Sequence, residues 1–235
     1  MTTQFLSRAR LRASRGEALS AIAPLLVPDD PSKRAGHAHR VLWLLFQDVP
    51  DAQRDFLWRD DGNGRYLILS ARPPSDPLGL FELETKSFEP SLSVGDRLAF
   101  TLRANPVLAS KAALDAKART ERARGKRVDV VMHALKDVAK AERKSVRDAI
   151  AVQAGTGWLA AQGARAGFTV PEPPHVDGYA QIPIERRRGR PAGFSVLDFK
   201  GVVEVADPAV FLDKLARGFG SAKAFGCGLM LIRRA

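Results

Sequence analysis

The sequence predicts an α+β fold of two tandem ferredoxin-like (RRM-like) domains, residues 1–92 and 93–235, and three observations carry that expectation. At 235 residues the chain is long enough for two small domains with a core each. The first part reads as strand, helix, strand, strand, helix or loop, strand, and the second part fits the same plan. Charge divides at nearly the same place: residues 1–94 carry 12 basic and 12 acidic side chains, residues 95–235 carry 25 and 14.

In Phe5 to Arg12, alternation predicts a first strand that turns Arg8, Arg10 and Arg12 to one face, either a basic sheet surface or a solvated one. A short helix over Glu17 to Val27, disturbed by Pro24, precedes Asp29-Asp30-Pro31, an N-cap followed by proline at a favoured position. The helix from Pro31 to Phe46 buries Ala35, Ala38, Leu42, Leu45 and Phe46, with Val41 and His39 at the margins and His37 on nearly the opposite side. Asp61-Gly62-Asn63-Gly64 joins strands at Asp55 to Arg59 and Arg65 to Ser70, and a further strand is expected around Phe81 to Thr85.

The second part opens with a strand over Asp96 to Ala104, ended by Asn105-Pro106. Lys111 to Arg127 holds seven cations against two acids, an electrostatic arm or a solvated helix. A short strand at Val128 to Met132, helices over Ala134 to Ala151 and Trp158 to Ala166, and an exposed proline-rich loop with a basic cluster over Pro171 to Pro191 are expected next. A strand at Phe194 to Val205, a helix capped by Asp207-Pro208 and running to Arg217, and a last strand after the Gly218 to Gly228 stretch complete the domain.

Composition narrows function. A net charge of +11 and a pI near 10.3, concentrated in the second part, suit a polyanionic partner such as nucleic acid, although solubility alone also favours a basic surface. The single cysteine, Cys227, excludes an internal disulfide and a cysteine-rich metal site and suits the reducing cytoplasm. No apolar run is long enough to cross a bilayer, so a membrane is not an expected partner. Carboxylates do not cluster on one face as a metal-dependent nuclease needs, and His37-x-His39 points its rings to different sides, so no metal site is expected.

A histidine among cations beside a polyanion suits metal-free RNA cleavage. RNA supplies its own nucleophile, the 2′-hydroxyl; the protein must take its proton, hold the phosphate in line and let the 5′-oxygen be protonated. His39 is the candidate, with a helix-edge structural histidine as the alternative. Four glycines and Lys223 between Gly218 and Gly228 can cradle a phosphate or simply form a tight turn. Walker and dinucleotide fingerprints both fail there, because no Gly-Lys-Ser/Thr occurs and a strand, not a helix, follows.

The motifs His39-Arg40-Val41-Leu42-Trp43-Leu44-Leu45-Phe46, Asp55-Phe56-Leu57-Trp58, Leu102-Arg103-Ala104-Asn105-Pro106, Gly125-Lys126-Arg127-Val128, Trp158-Leu159, Gly167-Phe168 and Gly218 to Leu229 occur in order over nearly the whole chain. Together they resemble the CasE family, the CRISPR repeat-processing endoribonucleases of the type I-E Cascade complex. The resemblance implies tandem ferredoxin-like domains, a CRISPR repeat RNA hairpin and other Cascade subunits as partners, and metal-independent, cofactor-free cleavage leaving 2′,3′-cyclic phosphate and 5′-hydroxyl ends. It also implies that His39, not His37, is catalytic. The expected RNA contacts are Arg40, Arg103, Arg122, Arg124, Lys126, Arg127, Gly218, Gly220 and Lys223. Two departures accompany the resemblance: Gly36 stands where well-known members have a tyrosine, and the segments before the histidine helix and between Met132 and Trp158 are longer than in compact members.

Overall fold

A computed structural model describes residues 3–12, 31–48, 53–110, 126–184 and 192–235. Two antiparallel sheets organise them. The first comprises β1 (Gln4–Leu11), β2 (Phe56–Gly62), β3 (Arg65–Ser70) and β4 (Phe81–Phe88) in the order β2-β3-β1-β4. The second comprises β5 (Arg97–Ala104), β8 (Phe168–Thr169), β10 (Ala192–Val205) and β11 (Met230–Arg234) in the order β11-β5-β10-β8, with β9 (His175–Ile184) also paired to β10. Each order places the first strand between the third and the last, so the molecule is a tandem of ferredoxin-like units.

In the first unit, helix α1 (Pro31–Trp43) and a following 3-10 turn (Leu44–Phe46) lie on one face of the sheet. Ala38, Leu42, Leu45 and Phe46 are at most 1% exposed and pack with Phe56, Trp58, Tyr66 and Ile68, which confirms the helix stripe wherever its side chains are described. The β2–β3 hairpin turns as its Asp-Gly-Asn-Gly sequence requires, Asn63 and Gly64 having φ of 53° and 69°. The arginines of β1, and Arg12 just beyond it, are not a free basic surface. Arg8 pairs with Glu84 at 2.8 Å, Arg10 lies 3.9 Å from Glu82, and Arg12 donates to the Phe81 carbonyl at 2.9 Å, so β4 neutralises or engages all three.

In the second unit α3 (Arg143–Ala166) and α4 (Pro208–Arg217) cover the sheet, and their buried faces join Phe100, Leu102, Phe168, Phe199, Val203 and Met230 in the larger core. Asp207 caps α4 by accepting from the Val210 N–H at 3.0 Å, as expected. A small leucine cluster, Leu57 and Leu69 from the first sheet with Leu229, just before β11, and Leu231 on it, joins the two units.

Three expectations are corrected. The segment Val128 to Met132 is not one strand: β7 (Lys126–Asp129), paired with β6 (Val107–Ser110), stops at Asp129, whose carboxylate accepts from the Met132 N–H at 2.6 Å and starts α2 (Val130–Ala134). The same carboxylate accepts hydrogen bonds from Ser195 and Tyr179, which ties the hairpin to β9 and β10. The two helices expected over Ala134 to Ala166 are in the main one, α3, running unbroken through Gly155 and Gly157. A Cβ at Gly155 would stand 3.0 Å from both Leu197 and Val176, so that glycine lets the helix approach the sheet closely. Within the proline-rich loop, residues 175–184 form strand β9. Its Pro183 is tolerated because, among the described residues, β9 pairs only with β10. The expected helix over Glu17 to Val27 and the cluster Arg186 to Arg190 lie outside the described residues.

Candidate RNA-cleavage site

His39 sits near the C-terminal end of α1, half-buried at the edge of the first core. Its ring lies 6.2 Å from that of Trp43 and 6.1 Å from that of Phe56, while Phe56 is stacked on Phe46 at 4.6 Å. These rings fix the imidazole plane through packing rather than hydrogen bonding. Its Nε2 is shielded from solvent and has no hydrogen-bond partner among the described residues. Burial, then the neighbouring charges of Arg54 and Arg40, hold its pKa below the ordinary histidine value. The neutral imidazole, the form that accepts a proton, is therefore favoured.

The glycine stretch returns to this helix. A 3-10 turn (Lys223–Phe225) packs against both α1 and β2. The turn is held by the Phe219 N–H to the Gly228 carbonyl at 2.9 Å, the Gly228 N–H to the Arg103 carbonyl at 2.7 Å and the Ser221 N–H to the Asn105 carbonyl at 3.2 Å. Lys223 is half-buried in it. Burial, with Lys214, Arg54 and Arg127 nearby, lowers its pKa. The structure thus brings His39, Arg40, Lys223 and Arg127 toward one region, in which Arg54 is a neighbour of both His39 and Lys223.

Other expected contacts are placed differently. Arg103 has its side chain 3.7 Å from Asp198, and it is its carbonyl that anchors the turn. Gly218 and Gly220 have φ of 73° and 70° and lie against protein: a Cβ would come within 2.8 Å of Leu57 at the first and 2.6 Å of the Asn105 carbonyl at the second. Lys126 belongs to β7 by its backbone, and Arg122 and Arg124 lie outside the described residues. Cys227 is buried, which pushes its thiol up to about 12 and leaves it a packing residue. Among the described residues no three of His, Cys, Asp or Glu come together to hold a metal ion, and no described helix is long and apolar enough to cross a membrane.

Sequence reasoning missed Arg54. It stands alone between Gln53 and Asp55 with no motif to mark it, and only the docking of the final turn against α1 and β2 gives it significance. Phe194 and Phe225, stacked at 5.1 Å, form a second feature of this turn that no spacing announces.

Residues 4–234 match the family described as CRISPR associated protein. The chain is 30% identical over 203 residues to the CRISPR system Cascade subunit CasE of Escherichia coli, covering 82% of this chain and 88% of that protein. It is 33% identical over 157 residues to the CRISPR-associated endoribonuclease Cse3 of Thermus thermophilus, covering 63% of this chain and 60% of that one. A solved structure of the CRISPR endoribonuclease Cse3 bound to a 19-nucleotide RNA superposes with a TM-score of 0.67 at 25% identity over 99% of each chain. From the ordered motifs, the tandem topology and these matches, it follows that the chain belongs to the CRISPR associated protein family, with CasE and Cse3 as relatives.

Proposed function

We propose that this protein is a metal-independent endoribonuclease that cuts CRISPR precursor RNA at the repeat hairpin and remains on the product as a subunit of a Cascade complex. The observation that carries the reading is the shielded His39 imidazole, kept in its proton-accepting form beside half-buried cations. A relative named an endoribonuclease, one named a Cascade subunit and a similar chain bound to RNA support it.

In the proposed step His39 takes the proton of the 2′-hydroxyl at the scissile nucleotide. The 2′-oxygen attacks the adjacent phosphorus, the new P–O2′ bond closes the 2′,3′-cyclic phosphate, and the P–O5′ bond breaks. The departing 5′-oxygen takes up a proton, from the imidazolium or from water, and leaves as the 5′-hydroxyl. Lys223 and Arg40 bind the phosphate oxygens as negative charge builds on them. The basic second unit, through Lys126, Arg127 and the neighbouring Arg122 and Arg124, grips the stem by phosphates and shape, since the deep A-form major groove is poorly read by side chains.

Incubation with hairpin repeat RNA in EDTA tests this reading. Specific cleavage by the parent, lost in His39→Ala while binding survives, is the expected result. Absence of cleavage by the parent would leave the alternative that Gly36 favours by replacing the family's tyrosine, a non-catalytic RNA-binding subunit. Neutralising Arg122, Arg124, Lys126 and Arg127 together is expected to flatten the salt dependence of binding, by roughly 0.7–0.9 in the log–log slope for each phosphate that no longer meets a cation. An unchanged slope measured by filter binding from low to moderate salt would remove the arm from the interface.

A further inference from the structure

Arg54 occupies the junction of the three pieces that make the site. It lies two residues before β2, whose Phe56 ring lies 6.1 Å from that of His39, and β2 packs against the turn carrying Lys223. The chain just after Arg54 is firmly held. Asp55 accepts from Arg72 Nε at 2.8 Å through its carboxylate and from the Ala71 N–H at 3.2 Å through its carbonyl.

Among the described residues, the carboxylates flanking Arg54 in the sequence, Asp48 and Asp55, do not neutralise it. Arg72 engages both, Asp55 at 2.8 Å and Asp48 at 2.6 Å, and the remaining oxygen of Asp55 is buried without a hydrogen bond. Among the described residues Arg54 has neither an ion pair nor a side-chain hydrogen bond, although it is half-buried. Its charge is felt instead by His39 and by Lys223, both of which it disfavours in their protonated forms. A half-buried guanidinium near another cation and lacking a carboxylate is unfavourable until an anion arrives. Its planar fork is shaped to bind two phosphate oxygens at once.

We propose that Arg54 is a catalytic residue that grips the non-bridging oxygens of the scissile phosphate beside His39, and so stabilises the charge gathered there during 2′-hydroxyl attack. This rests on the endoribonuclease reading and adds a planar, bidentate phosphate ligand to the contacts of Lys223 and Arg40. Arg54 remains protonated throughout; it forms and breaks only hydrogen bonds, and the proton from the 2′-hydroxyl goes to His39. The neighbouring cation Lys223 meets the same phosphate as a point charge, so the two are complementary rather than redundant.

The test is single-turnover cleavage of hairpin repeat RNA by the parent, Arg54→Ala and Arg54→Lys, with affinity measured separately on the same RNA carrying a 2′-deoxy nucleotide at the scissile position. Losing one such donor is expected to slow Arg54→Ala cleavage by about 10²–10³-fold. Affinity for the uncleavable RNA is expected to change by less than about ten-fold, the weight of a single charge-assisted contact. Arg54→Lys, which keeps the charge but not the fork, is expected to recover part of the rate and still fall at least about ten-fold below the parent. An active parent with Arg54→Ala within about three-fold of it, or a loss of rate matched by an equal loss of affinity, overturns the proposal alone. An inactive parent overturns the endoribonuclease reading and this one together. Should Arg54→Ala fail to fold, Arg54→Lys decides: a parental rate in that variant overturns the role of the fork.

Discussion

Replacing His39 by alanine is expected to slow single-turnover cleavage of hairpin repeat RNA by about 10²–10⁴-fold, the range a positioned acid or base contributes, while RNA affinity stays within a few-fold of the parent. The expectation follows from the placement of the ring. Trp43 and Phe56 fix its plane, Nε2 makes no hydrogen bond among the described residues, and its proton affinity is lowered by burial and by the charges of Arg54 and Arg40. The sign of the pH effect is set by that lowering. A base is active when neutral, so the acid limb of kcat/KM for the free enzyme is expected below the ordinary histidine pKa of about 6.5, not above it. An acid limb well above that value in the pH–rate profile would mean that a carboxylate outweighs burial and the two arginines at His39.

The second large effect concerns the turn. Valine at Gly228 is expected to destabilise the fold by roughly 3 kcal/mol or more, since a left-handed backbone is disfavoured for a side chain and the new atoms collide with main chain. Gly228 has φ of 95°, and a Cβ there would stand 2.6 Å from the Phe219 carbonyl and 3.2 Å from its nitrogen, the same residue whose N–H donates to the Gly228 carbonyl. For a chain of this size the midpoint of thermal unfolding should fall by about 6–12 °C. Gly36 provides the contrast, because among the described residues nothing lies within 4 Å of a Cβ built there. Gly36→Ala is expected to leave stability unchanged or raise it by up to about 1 kcal/mol, as alanine favours a helix interior. Equal melting of Gly228→Val and the parent would show that the turn is not held as described.

Much of this fold was legible because local signals and packing agree. The stripe through Ala38, Leu42, Leu45 and Phe46, the hairpin at Asn63-Gly64 and the Asp207 cap each specify their geometry within a few residues. The failures arise where a neighbour decides. Pro183 suggests a loop until β10 offers an edge, Gly155 suggests a break until Leu197 and Val176 rise beneath it, and Asp129 ends a strand that continued hydrophobicity would extend. The site divides in the same way. His39 could be chosen from its helix and the family motif, and Lys223 from its glycines. Gly218 and Gly220, by contrast, press against the protein's own Leu57 and Asn105, and Arg54 becomes meaningful only when residues 223–225 are seen against α1 and β2.

The chemistry of the product ends bears most directly on the account. Hairpin repeat RNA is incubated with the parent protein in EDTA and both fragments are analysed by mass spectrometry. A 2′,3′-cyclic phosphate on the upstream fragment and a 5′-hydroxyl on the downstream one are predicted, because the RNA's own 2′-oxygen is the nucleophile. A 3′-hydroxyl with a 5′-phosphate, or cleavage that appears only when a divalent cation is restored, would contradict it.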